Sequence, residues 1–133
     1  MRQPGRGERL AAARRRDGDS CIWCSRALTG AVAATTDHMV PKVKGGPSWL
    51  ENEVAACLAV HQEEHADRER GHRGAVEWLA ECERRGWSPD VDRLARVLDD
   101  LAAAIAERGG QRRARPHLDA QRRRLRKRLP FAA

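Results

Sequence analysis

Apolar residues keep the helical period most clearly between positions 88 and 110. Val91, Leu94, Ala95, Leu98, Leu101, Ala102 and Ile105 follow the i, i+3, i+4, i+7 spacing that stripes one face of a helix. Ser88 reads as the N-cap with Pro89 in the first turn, and Gly109-Gly110 closes the element. A shorter helix over Ala75 to Arg85 carries Val76, Leu79 and Ala80 on one face and ends at Gly86. A thin stripe of Leu118, Leu125 and Leu129 predicts a last, basic helix from Pro116 to Leu129. Upstream, Asn52 to Arg70 reads as helix, apolar early and acidic later, interrupted at Gly71 and Gly74. From Cys21 to Pro47 the chain turns loop-rich and β-leaning: "AVAATTDHMV" supplies one strand and "KVKGGPSW" a second strand or a turn. Residues 1–19 are rich in Gly and Arg, show little periodicity and are predicted to be disordered. No segment repeats another.

Length and composition bound the picture. A chain of 133 residues is one domain with a modest core, and with four Trp, one Phe and no Tyr a metal or partner would help hold it. No apolar run approaches a membrane span, and no apolar stretch follows the basic N-terminus as in an export signal. The expectation is a soluble, cytoplasmic protein whose Cys-x-x-Cys serves as metal ligands or a redox pair.

Charge is unevenly spread. Residues 1–16 hold six Arg and one acid, and residues 112–128 hold nine Arg or Lys and one acid. Residues 17–111 are net acidic, with eleven basic and seventeen acidic side chains. Runs such as "RRR" at 14–16 and "RRRLRKR" at 122–128 suit a phosphate backbone, which they would bind by releasing counterions.

The stretch with most chemistry lies between. Cys21-Ile-Trp-Cys24 is followed by Asp37-His38, by Pro41, Lys42 and Gly45-Gly46, and then by Asn52, Cys57 and His61 in order. Over residues 21–61 this combination resembles the HNH endonuclease family. The resemblance implies a small α+β protein: a ββα-metal core with a Cys-based knuckle, followed by a mainly helical C-terminal extension. Its parts would be a disordered basic arm (1–19), the HNH-like module (20–74), a helical extension (75–110) and a basic C-terminal helix or tail (111–133).

The residue types suit phosphodiester hydrolysis. A neutral imidazole can take a proton from water near neutral pH, so His38 is the candidate base. Asp37, pointing to the other side of an extended strand, is a hard ligand suited to Mg²⁺ or Mn²⁺. By resemblance His61 is the second ligand to that ion, and Asn52 holds the loop and the base histidine in place. Asp67 competes with His61 for the ligand role if residues 58–65 contain an insertion. Lys42 and Lys44, with Arg122, Arg123, Arg124, Arg126, Lys127 and Arg128, are candidate contacts to nucleic acid, taken as DNA with RNA left open. The implied activity is metal-dependent endonucleolytic cleavage of low sequence specificity. The rival reading is a decayed HNH-like module that binds nucleic acid without cutting it.

Val60 departs from the family pattern. The zinc-containing branch uses two Cys-x-x-Cys pairs; Cys21, Cys24 and Cys57 match, while Val60 stands where the fourth cysteine belongs. Structural zinc takes four ligands. Either His65, one turn after His61, completes a Cys3His site for Zn²⁺, or zinc is lost and the thiols are simply buried. Cys82 reads as core packing. The run "HQEEH" also satisfies a zinc-peptidase pattern through His61, Glu64 and His65, but such a site needs a third, distant ligand and a larger protein around it.

Overall fold

A computed structural model describes residues 5–66 and 74–129, with the backbone alone at 65 and 66. Its elements run in the order α1 (Arg6–Asp17), β1 (Ala34–His38), β2 (Glu53–Cys57), α2 (Leu58–Ala66), α3 (Ala75–Arg84), α4 (Val91–Arg108) and α5 (Ala114–Arg128). Two short 3-10 turns, Lys42–Lys44 and Leu50–Asn52, lie in the loop between the strands.

β1 and β2 form an antiparallel pair in which Thr36 faces Ala55 and His38 faces Glu53. The pairing overturns the expectation of helix from Asn52. The chain goes from a 3-10 turn through a strand and becomes helical only at Leu58, and "KVKGGPSW" is turn rather than second strand. All five β2 residues are buried, because α1 packs on β2 and Ile22 N–H reaches Ala55 O at 3.2 Å. A strand covered on both faces shows an unbroken apolar run instead of alternation, and short runs of that kind do not separate strand from helix.

Residues 6–17 are likewise not a disordered arm. They form a helix whose Ala13 is fully buried and whose Leu10 packs against the core. Ala11-Ala12-Ala13 and the neighbouring arginines are strong helix formers, although two apolar positions make too thin a stripe to reveal it. The "RRR" run does not simply face solvent. Arg14 bonds Asp19 at 2.7 Å and Leu28 O at 2.8 Å, while Arg16 bonds Leu50 O at 2.9 Å and Glu53 O at 2.8 Å. These guanidiniums tie α1 to the strand and its loop.

The C-terminal helices supply the larger share of the core. α3 buries Ala75, Val76, Trp78, Leu79 and Cys82. α4 buries Leu94, Val97, Leu98, Leu101, Ala104 and Ile105, much as its stripe predicts. Its cap is Asp90, whose carboxylate accepts from Arg93 N at 3.1 Å, so the helix begins after Ser88 and Pro89. α5 lays Leu118 and Leu125 against α4 and sends Gln121 Oε1 to Val76 N–H at 2.8 Å. Each large apolar side chain buried in this way contributes about 1.5–3 kcal/mol. No helix among the described residues is long and apolar enough to cross a membrane.

Candidate metal and catalytic centre

The loop between the strands is built around Asn52. Its Oδ1 accepts from Val40 N–H at 2.8 Å, and its Nδ2 donates to Val40 O at 3.1 Å and Pro47 O at 2.9 Å. The side chain is fully buried, so these bonds are its whole solvation. Gly46 passes so close that a Cβ there would lie 1.8 Å from Val40 O, which no side chain tolerates. Asn52 thus clamps the segment just after His38.

Asp37, His61 and Glu64 bring one ligand atom each to within 4.8 Å of one another. The strand supplies Asp37, while His61 and Glu64 come from successive turns of α2, three residues apart and on one face. His61 Nδ1 lies 3.6 Å from Asp37 Oδ1. Asp37 is further held by Trp23, whose indole N–H donates to Oδ2 at 2.8 Å, and by the His38 backbone N–H at 2.9 Å. Burial drives the Glu64 carboxyl up to about 11, and the Asp37 carboxylate it faces pushes in the same direction. Glu64 Oε2 has no hydrogen-bond partner among the described residues. Two buried carboxyls and an imidazole, one oxygen unsatisfied, fit a hard divalent cation: such an ion would supply the charge that this donor set lacks.

His38 opens on the same cavity. That cavity has a volume of about 390 Å³, and Asp37, His38, Lys42, Glu53, His61 and Glu64 are among its lining residues. Alternation alone would separate Asp37 from His38, but His38 is the last residue of β1 and both reach the cavity. Burial holds the His38 pKa below its ordinary value, outweighing the opposite pull of Glu53 and Asp37. The ring is therefore neutral near pH 7. Its Nε2 lies 3.9 Å from Glu53 Oε1, and buried Glu53 is ion-paired in turn with Arg9 of α1.

Glu53 and Glu64 are the residues that sequence reasoning missed. The pairing of Glu53 with His38 is invisible until β2 is known to be a strand. Glu64 had a signal, its i+3 spacing from His61, which was absorbed into the peptidase pattern instead.

A second cluster sits nearby. The sulfurs of Cys21, Cys24 and Cys57 lie within 4.8 Å of one another, with Cys24 and Cys57 at 3.7 Å. All are free thiols, and burial pushes Cys21 up to about 12. This soft set fits a thiophilic ion such as zinc through three ligands. Val60 is 5 % exposed and packs in the core, offering no fourth donor. The His65 side chain and Asp67 lie outside the described residues, so neither alternative ligand is placed. Cys82 is fully buried, and burial, with the charges of Glu64, Cys21 and Cys24, raises its pKa.

The basic residues divide. Lys42 lines the cavity that holds Asp37 and His38, whereas Lys44 lies close enough to His117 to influence its charge. Arg122 pairs with Asp99 at 2.9 Å, Arg128 with Glu83 at 2.5 Å, and Arg124 with Glu77. None of these three lines the cavity, and neither do Arg123, Arg126 or Lys127.

Two antiparallel strands and a helix converging on a carboxylate–imidazole cluster, with a cysteine knuckle beside it, define a ββα-type module. Residues 21–67 match the model of the HNH endonuclease family. The match ties the chain to nuclease-type, nucleic-acid-related chemistry. Searches of curated proteins and of solved structures found no match.

Proposed function

We propose that the chain is a metal-dependent endonuclease that hydrolyses phosphodiester bonds in DNA with low sequence specificity. The observation that carries this reading is the meeting of Asp37, His61 and Glu64 in one cavity with a neutral His38. Asp37, His61 and Glu64 would hold one Mg²⁺ or Mn²⁺. When bound, that ion supplies positive charge at the scissile phosphate and the departing 3′ oxygen. The Glu53 carboxylate, 3.9 Å from His38 Nε2, would stabilise the imidazolium that forms when His38 takes a proton. His38 takes a proton from the attacking water as its oxygen bonds to phosphorus. The bond to the 3′ oxygen breaks, giving 5′-phosphate and 3′-hydroxyl ends. Asn52 keeps His38 on station through the Val40 clamp. The three thiols would staple the knuckle around Zn²⁺.

The deciding experiment is nicking of supercoiled plasmid at low salt with Mg²⁺ or Mn²⁺. The wild type should nick only with metal, and His38→Ala should lose at least about a hundredfold in rate. Binding without nicking under either ion would replace the nuclease reading with a DNA-binding module whose lost cysteine at Val60 marks decay.

A further inference from the structure

α1 lies outside the matched segment, yet it walls the catalytic cavity. Arg6 and Arg9 line the cavity together with Asp37, His38, Lys42, His61 and Glu64. Arg9 is committed to buried Glu53. Arg6 is exposed at the start of the helix, and its Nη2 donates to Thr35 Oγ1 at 3.0 Å. That bond uses one of its five N–H donors and aims the guanidinium along β1. Lys42 is also exposed, in the 3-10 turn that follows Pro41, and lines the same cavity as His38. The cavity therefore has an acidic floor of Asp37 and Glu53, with protonated Glu64 beside them, beneath a cationic rim of Arg6 and Lys42. A floor of that kind suits a cation and repels a phosphodiester, so an anionic strand needs the rim to approach it.

We propose that Arg6, with Lys42, forms a phosphate-binding subsite that seats the nucleic-acid backbone over His38. Arg6 is a positioning residue here, and the assignment rests on the nuclease reading of the same cavity. The source of grip is then α1 and the inter-strand loop. The C-terminal cluster does not line this cavity, and its Arg122, Arg124 and Arg128 are paired with Asp99, Glu77 and Glu83. A guanidinium suits this place because its planar fork can hold two phosphate oxygens while one edge stays anchored on Thr35.

The test uses the full chain in a His38→Ala background, where binding is measured without cutting. Anisotropy of a labelled DNA duplex is followed across a salt series. Arg6→Ala should raise Kd by about tenfold, one charge-assisted hydrogen bond, and lower the log–log salt slope by about one. Arg6→Lys should restore the slope and only part of the affinity. Arg124→Ala should leave Kd within about twofold. With His38 intact, Arg6→Ala should raise KM more than it lowers kcat. An unchanged Kd and slope in Arg6→Ala, or an equal loss in Arg124→Ala, would overturn the subsite. A wild type that binds through Arg6 but does not nick plasmid would sink the nuclease reading alone. A chain that binds no duplex at all would remove both.

Discussion

At the residue scale, Asp37 and Glu64 set the character of the cavity. A buried carboxyl with an unsatisfied oxygen destabilises the metal-free protein and rewards a cation, so stability and metal binding are linked at this one side chain. Mn²⁺ at a hundred times its Kd should stabilise the wild type by about 2.7 kcal/mol. Glu64→Gln keeps the shape and neutrality of the protonated carboxyl but cannot give up a proton to become a ligand. It should leave the metal-free melting temperature at or above the wild-type value and weaken Mn²⁺ binding at least about tenfold, a loss of about 1.4 kcal/mol from the increment. Calorimetry with and without Mn²⁺ checks both, and an equal increment in the variant would remove Glu64 from the ligand set. The order of Asp37, His38, Asn52 and His61 is readable in the sequence, and the fold brings Asp37, His38 and His61 to one cavity while Asn52 clamps the loop behind it. The partners that tune them are not readable there. Glu53 depends on strand register and Arg9 on the packing of α1, and neither leaves a trace in local spacing.

At the element scale, the molecule depends on how α1 is tied to α4. Asp17, at the last turn of α1, has a side chain with no exposed surface. It meets Arg96 at 2.7 Å, Arg93 at 3.7 Å and the neighbouring Arg16 at 2.7 Å. Burial acts to raise the Asp17 pKa, but the three guanidiniums outweigh it and the net shift is downward from 3.8. A carboxyl depressed on folding stabilises the native state above its unfolded pKa, and that contribution is lost as pH falls through the lower, folded value. Asp17→Asn should therefore cost about 3 kcal/mol near neutral pH, since it removes the carboxylate that faces the buried Arg93 charge, and the gap to wild type should close below about pH 4. Urea melts over that range decide it; a gap that stays constant would mean the charge contributes nothing. The long stripe of α4 was readable because its period persists over several turns. β2 and α1 were not. One is buried on every side, and the other is held by arginines that a hydrophobic pattern counts as solvent-facing.

At the scale of the whole molecule, folding redistributes the charge that the sequence shows. The basic C-terminal run is legible as a sum, but which acids it meets depends on α3 and α4 lying beside α5, where Glu77, Glu83 and Asp99 take three of its arginines. What stays available at the mouth of the Asp37–His38 cavity comes from α1 and the loop between the strands. The knuckle and the Asp37–His38 cavity are also joined, since Trp23 stands between Cys21 and Cys24 and its indole N–H holds the Asp37 carboxylate. This join gives the protein an optical gauge of its own occupancy. A cation drawing on Asp37 weakens that hydrogen bond and alters the field at a buried indole, so Mg²⁺ should change the tryptophan emission. Trp23→Phe should silence the change while Trp49, Trp78 and Trp87 continue to emit. The same light would report the thiols: stripping metal from the knuckle should shift the emission even when the catalytic cavity stays empty.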